Sequence, residues 1–192
     1  MINFDNFSDY EWIEGLTKND PDAIVSFFYK KNKGIFAHNL RKVFPYQVYG
    51  KFITINTNPY DWRTPQLNNL WNSGTESNPI KATNDPCPPG WRIPTYAELS
   101  ELKFIVTKEW TTENGVWGFR LTDEFTGRYL FLPAAGSRDY LDGSLNTVGS
   151  DGLYCGSTPF SNNAYGLYFY SDYFSTGSYR RANGFSIRCV AE

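Results

Sequence analysis

The run "AYGLYFYSD" (164–172) leaves the chain little choice of local structure. Alternation sustained over four to eight residues marks a half-buried strand. Here Tyr165, Leu167 and Phe169 fall on one side, while Gly166, Tyr168, Tyr170 and Asp172 fall on the other. The first side reads as core, and the second presents tyrosines to solvent or to a partner. "GFSIRCV" (184–190) reads the same way, with Phe185, Ile187 and Cys189 on one face and Ser186, Arg188 and Val190 on the opposite one. "VYGKFITI" (48–55) and "RYLFLPAAG" (128–136) are further strand candidates, set among Gly, Ser and Asn turns.

Helical signals lie elsewhere. In "PTYAELSELKFIV", Thr95 and Glu98 have capping-box spacing, which predicts a helix over about 95–106 with Ala97, Leu99, Leu102 and Ile105 on its buried side. The first 44 residues also read as helical. Ser8 and Glu11 repeat the capping box, and Asp20-Pro21 supplies an N-cap followed by proline at the first helical position. Ile24, Phe27 and Phe28 begin an apolar stripe that Phe36, Leu40 and Val43 continue, until Pro45 forces the preceding residue out of helix. "NTNPYDWRTPQLNNLWNSGTESNP" (56–79), punctuated by Pro, Asn and Gly, predicts a long structured loop. The expected class is therefore α+β: a helical segment at 1–44 and one domain at 45–192.

Composition narrows the function classes. A chain of 192 residues fits one ordinary domain, with or without a short appendage, and can bury a real core. Net charge is −2, so no broad nucleic-acid footprint is present beyond the small cluster of Lys30, Lys31 and Lys33. Hydrophobic runs are too short to enter a membrane. The acidic start "MINFDNFSDYEWIEGL" lacks signal-peptide character, which implies synthesis in the cytoplasm. With His38 the single histidine, neither a His-based zinc site nor a His-based catalytic dyad is expected. Three cysteines, Cys87, Cys155 and Cys189, cannot all pair within one chain.

Five motifs then occur in order: "DWRTPQLNNLW", "NDPCPPGWRIPTYAELSEL", "YLFLPAAGSRD", "GSLNTVGSDGLY" and "RANGFSIRCV". Over roughly residues 46–192 the chain resembles the Fibrobacter succinogenes major paralogous domain, a bacterial family with a C-type-lectin-like fold. The resemblance implies a compact α+β domain with a twisted antiparallel sheet, one main helix and long surface loops. It also implies that Cys87 and Cys189 lie together, as a bridge or as adjacent thiols, leaving Cys155 unpaired.

Domains of this fold serve as variable proteins of diversity-generating retroelements, in which a reverse transcriptase alters template adenines. Asn codons randomised at both adenines never yield Lys, Glu, Gln, Met or Trp. From Ser137 to Val190 none of those five residue types occurs, whereas Arg and Asp do. At ordinary usage about six or seven Lys or Glu are expected over such a length. The resemblance thus implies a diversified region at about 137–182. Its candidate ligand-binding residues are Gly166, Tyr168, Tyr170 and Asp172, joined by Asp139, Tyr140, Leu141, Thr147, Asp151, Leu153, Phe160, Tyr173, Ser178, Tyr179 and Arg180, with Cys155 and Gly156 as further candidates. Tyrosine, serine and glycine on such a face have the chemistry of an antibody combining site.

The function expected is a non-enzymatic module that binds a variable protein or glycan without a cofactor or metal. It would sit in a phage particle or outside the cell after release. Two alternatives stand beside it. A calcium-dependent sugar lectin would use Asp139, Asp142 and Asp151, but the tripeptides EPN, QPD and WND are absent and "LWNSG" is a near miss. A formylglycine-generating type of enzyme shares the broader fold, and "GFSIRCV" is similar to its glycine–aromatic–arginine ending, but that chemistry needs a reactive cysteine pair. Residues 10–44 resemble the start of sigma-70-like factors; a helical hairpin that packs on the domain, or forms a homo-oligomer, is the plainer reading.

Overall fold

The computed structural model describes residues 52–192. The helices expected over 1–44, His38, Lys30, Lys31, Lys33 and the first part of the 48–55 strand lie outside the described residues.

The described chain is mostly β with one short helix. Its strands are β1 (Trp91–Arg92), β2 (Thr107–Glu113), β3 (Val116–Thr122), β4 (Tyr129–Pro133), β5 (Ser137–Arg138), β6 (Leu145–Asn146), β7 (Gly152–Phe160), β8 (Asn163–Tyr170), β9 (Tyr173–Arg180) and β10 (Val190–Ala191). The helix α1 spans Tyr96–Glu101. Two antiparallel three-stranded sheets, β2-β3-β4 and β7-β8-β9, carry the architecture, and the pairs β1-β10 and β5-β6 complete it.

Both sheets contribute to one core. Phe119 and Leu121 from β3, Leu132 from β4, Tyr154 from β7, and Leu167 and Phe169 from β8 close over Leu99 of α1. The rings interlock: Phe119 meets Phe169 and Phe174 edge-on, each at 5.4 Å between centroids, while Phe169 stacks on Phe174 at 5.6 Å. Edge-to-face and offset arrangements suit the ring quadrupoles. Phe169 lies directly against Gly152, where an added Cβ would run into the ring.

Local chemistry explains the helix and the chain closure. The Thr95 hydroxyl accepts from the Glu98 N–H while the Glu98 carboxylate accepts from the Thr95 N–H at 2.8 Å, a complete capping box. The same carboxylate takes a bidentate pair from Arg92, at 2.7 and 2.5 Å. Burial alone would raise the Glu98 pKa, but the Arg92 and Thr95 hydrogen bonds prevail and hold it below the ordinary value. Asp85, almost fully buried, accepts from the N–H of Cys87 at 2.8 Å and of Ile93 at 2.9 Å, and from Lys81 Nζ at 3.0 Å. Cys87 is bonded to Cys189 beside the β1–β10 pair, with 5.9 Å between their Cα atoms.

Several expectations need correction. The helix stops at Glu101, turns replace its last part, and Ile105 is exposed. The described part of "VYGKFITI" is in no ladder, although the Ile55 N–H bonds to the Tyr140 carbonyl at 2.7 Å. "GFSIRCV" is not a continuous strand: Gly184 and Ser186 make isolated bridges to Arg138 and Tyr154, and regular pairing resumes only at Val190. Its partners differ from one residue to the next, so one alternating face cannot form. The β2–β3 hairpin is absent from the expectations above, although its Asn114-Gly115 turn has positive φ at both residues, 49° and 79°. Such a pair between alternating runs is the strongest short-range hairpin signal.

Candidate functional site

The site is built on the β8–β9 hairpin. Its register sets Tyr170 opposite Tyr173, Tyr168 opposite Ser175, Gly166 opposite Gly177 and Ala164 opposite Tyr179. Residues directly opposite share a face, so Tyr168, Tyr170, Tyr173 and Tyr179 all stand on one side. Leu167, Phe169 and Phe174 point the other way, into the core. Tyr168 is the hub, with ring centroids 5.7 Å from Tyr170, 5.8 Å from Tyr173 and 6.5 Å from Tyr179. Tyr170 and Tyr173 stack at 5.2 Å beside the Ser171-Asp172 turn and are exposed, as is Asp172.

The Tyr168 hydroxyl donates to Asp151 Oδ2 at 2.9 Å, and Ser150 Oγ donates to Asp151 Oδ1 at 2.8 Å. Desolvation, then the hydrogen bond to this carboxylate, push the Tyr168 phenol up to about 12. Burial similarly raises Tyr179. Both phenols stay protonated donors at neutral pH. Thr147, exposed with φ 53°, anchors the Asp151 loop by accepting the Asp151 N–H at 3.0 Å. Next to this loop an open cleft of about 420 Å³ runs between Tyr168, Tyr170 and the stacked pair Trp110 and Trp117. Neither tryptophan was among the expected site residues; each lies in the hairpin that Asn114-Gly115 could have revealed.

A second cluster adjoins the other end of β9. The Arg180 guanidinium lies 4.4 Å from the centroid of Tyr60 and 4.5 Å from that of Tyr140, and it donates to the Tyr140 hydroxyl. The two rings meet edge to face, 5.3 Å apart and inclined at 74°, and the cation packs against both. Tyr60 enters it from the long loop, and no feature of its local sequence distinguishes it from other loop aromatics. Asp139 holds the neighbouring turn by accepting the Leu141 N–H at 2.7 Å, and Leu141 itself is exposed.

Four expected surface residues are not displayed with the tyrosines: Leu153 and Gly166 lie beneath that face, and Ser178 and Phe160 belong to the opposite one. Leu153 is buried, because β7 is flanked by β8 on one edge and by the 184–186 segment on the other, where the Ser186 N–H bonds to its carbonyl. Gly166 is buried as backbone floor between the Tyr154 carbonyl and the Tyr179 ring. Ser178 pairs with Tyr165 and therefore faces away from the tyrosines. Phe160 is exposed but belongs to that same opposite side, 5.0 Å from Tyr165. A register shift between Cys155 and Pro159 separates it from the rest of β7. Of the two further candidates, Gly156 is buried and Cys155 is half-buried.

Of the carboxylates proposed for calcium, Asp139 and Asp142 serve turns and Asp151 accepts from Tyr168 and Ser150. Asp142 accepts the Ser144 N–H at 2.8 Å, and its Ser144 hydrogen bonds hold its pKa below the ordinary value. Among the described residues no group of three or more His, Cys, Asp or Glu is placed to hold a metal ion. Cys155 is the free cysteine of the chain, and burial pushes its thiol up to about 12. No described helix is long and apolar enough to cross a membrane. Compared with family models, with curated proteins and with solved structures, the chain matches none.

Proposed function

We propose that this protein is a non-enzymatic ligand-binding domain of C-type-lectin-like fold, whose tyrosine face is the diversified display surface of a retroelement variable protein. The reading rests on one observation: Tyr168, Tyr170, Tyr173 and Tyr179 gather on one side of a hairpin whose other side is locked by Leu167, Phe169 and Phe174. Large, rigid, amphipathic rings give contact area at low entropic cost, and Ser171, Ser175 and Asp172 add hydrogen bonding beside them. Exchange on the exposed side leaves the packed side intact, so variation costs little stability.

Two further features support it. Cys87 and Cys189 lie together next to the β1–β10 pair, as the resemblance implies. The pairing of those two sulfurs and the protonated Cys155 thiol leave no cysteine pair for formylglycine-type oxidation. The ligand is a protein or glycan presented on another surface, and delivery on a phage particle or by release suits that role.

The decisive experiment is genomic. DNA adjoining the gene should hold a near-copy of the codons for residues 137–190, beside a reverse-transcriptase gene, with differences confined to adenines of the copy. Differences scattered over all four bases, or no copy at all in the source genome, count against the retroelement reading. The display reading has its own test: Tyr170→Ser and Tyr173→Ser should each abolish capture of a ligand selected on the parent protein. Undiminished capture by both rejects it.

A further inference from the structure

The open cleft of about 420 Å³ is shared between the two three-stranded sheets, since Trp110 and Trp117 come from β2 and β3 and Tyr168 and Tyr170 from β8. Strand register accounts for the tryptophan pair. Trp110 and Thr112 share one face of β2, and Trp117 of β3 lies directly opposite Thr112. The two indoles are therefore diagonal neighbours, a separation that large aromatic side chains span, and they stack at 5.9 Å. Trp110 packs on the core, so Trp117 is the outer member and stays 47 % exposed. Tyr170 also lines the cleft and is 36 % exposed.

Charge sets the kind of ligand. Asp151 lines the cleft and no lysine or arginine does. Among the described residues no base forms an ion pair with Asp151. Asp172, exposed next to Ser171 of the cleft wall, adds a second carboxylate without an ion pair among those residues. Lys108 shares the face of β2 that carries Trp110, but its Nζ donates to the carbonyls of Lys103 and Val106 and lies over the Phe174 ring. Each Asp151 oxygen already accepts a hydrogen bond, Oδ1 from Ser150 and Oδ2 from Tyr168. What this carboxylate has left to offer is its charge, which acts through space without a further hydrogen bond.

We propose that this cleft binds a quaternary ammonium group, its methylated nitrogen held among the tryptophan pair, Tyr168 and Tyr170 in the field of Asp151. Such a cation has no N–H to donate, so it needs no vacant acceptor. Its methyl groups suit aromatic walls, and the ring quadrupoles attract its charge. A primary ammonium is more strongly hydrated and brings three donors to a carboxylate that is already engaged. An anion meets Asp151 as a like charge. The volume falls in the usual range of small-ligand clefts, roughly 300–1,000 Å³. The group arrives either on a small molecule or on a trimethylated lysine of a protein. The inference goes beyond the display reading and does not need it: Trp110 and Trp117 lie outside residues 137–182, and the cleft belongs to this chain as it stands.

The test follows the indole ¹⁵N–¹H resonance of Trp117 in the full chain, assigned with Trp117→Phe, during titration with choline chloride at constant ionic strength. Parallel titrations use N-acetyl-trimethyllysine amide, 3,3-dimethylbutanol (the shape of choline without its charge), ethanolamine and methyl glucoside. The expected result is a saturable shift with choline or the trimethyllysine amide, and binding at least about fivefold weaker for the other three. Tighter binding of choline assigns the site to a small molecule, and tighter binding of the amide assigns it to a modified protein. Asp151→Asn should weaken choline about twofold to fivefold and leave dimethylbutanol unchanged. If Asp151→Asn does not fold, Trp117→Ala, followed on the Trp110 indole, should weaken choline at least about fivefold. A shift that does not saturate, any of the three comparison probes within about fivefold of the tighter quaternary one, or undiminished choline affinity in the folded variant overturns the proposal. The display reading is scored separately, on capture of a selected ligand by Tyr170→Ser and Tyr173→Ser.

Discussion

Tyr168 donates its phenolic hydrogen to Asp151 across 2.9 Å, tying the centre of the tyrosine face to the loop that borders the Trp110–Trp117 cleft. A carboxylate acceptor favours the protonated phenol and opposes the phenolate. Replacing Asp151 by Asn keeps an acceptor but removes the charge. The Tyr168 pKa should then fall from about 12 towards the ordinary tyrosine value, with burial keeping it somewhat raised. Absorbance titration of phenolate, with Tyr168→Phe to identify the signal, measures this.

The same shift has a stability consequence of definite sign. A phenol whose folded pKa lies above its unfolded value contributes stability that is fully present below the unfolded pKa, near 10. That contribution is lost as pH rises from there through about 12. Urea melts of the parent and Tyr168→Phe across this window should converge as pH rises, and a constant gap would contradict the assigned shift.

Adjacent residues of β8 should respond oppositely to truncation. Phe169 is wholly buried and touched by four rings, so Phe169→Ala should cost about 3–5 kcal/mol. Tyr170 is exposed on the other side, and Tyr170→Ser should stay within about 1 kcal/mol of the parent. Denaturant midpoints for the two variants decide the point.

Gly152 is required by contact, because Phe169 occupies the space of any Cβ there. Gly152→Ala should cost about 1–3 kcal/mol by overpacking. Adding Phe169→Leu should recover part of that loss, a non-additivity that a double-mutant cycle in urea would register.

The Cys87–Cys189 bond spans a sequence separation of 102. Closing so long a loop constrains the unfolded chain by up to about 4–5 kcal/mol. Changing both cysteines to Ala should lower stability towards that figure, and dithiothreitol should do the same to the parent while leaving the variant unaffected.

Some of this was legible residue by residue. Alternation of Tyr165 to Asp172 determined which side of β8 is hidden, because consecutive side chains on a strand must point to opposite faces. The capping box at Thr95 and Glu98 likewise placed the start of α1, since it needs only residues three apart. Such features are local, and local geometry is written in spacing. Only the tertiary structure decided the remainder. Ser178 is set by its pairing with Tyr165, Phe160 by the register shift after Cys155, and Leu153 by the 184–186 segment along its strand. Spacing assigns parity within one strand, whereas burial depends on what packs against it from distant parts of the chain. The cluster of Tyr60, Tyr140 and Arg180 exists only once the long loop is folded against the end of β9.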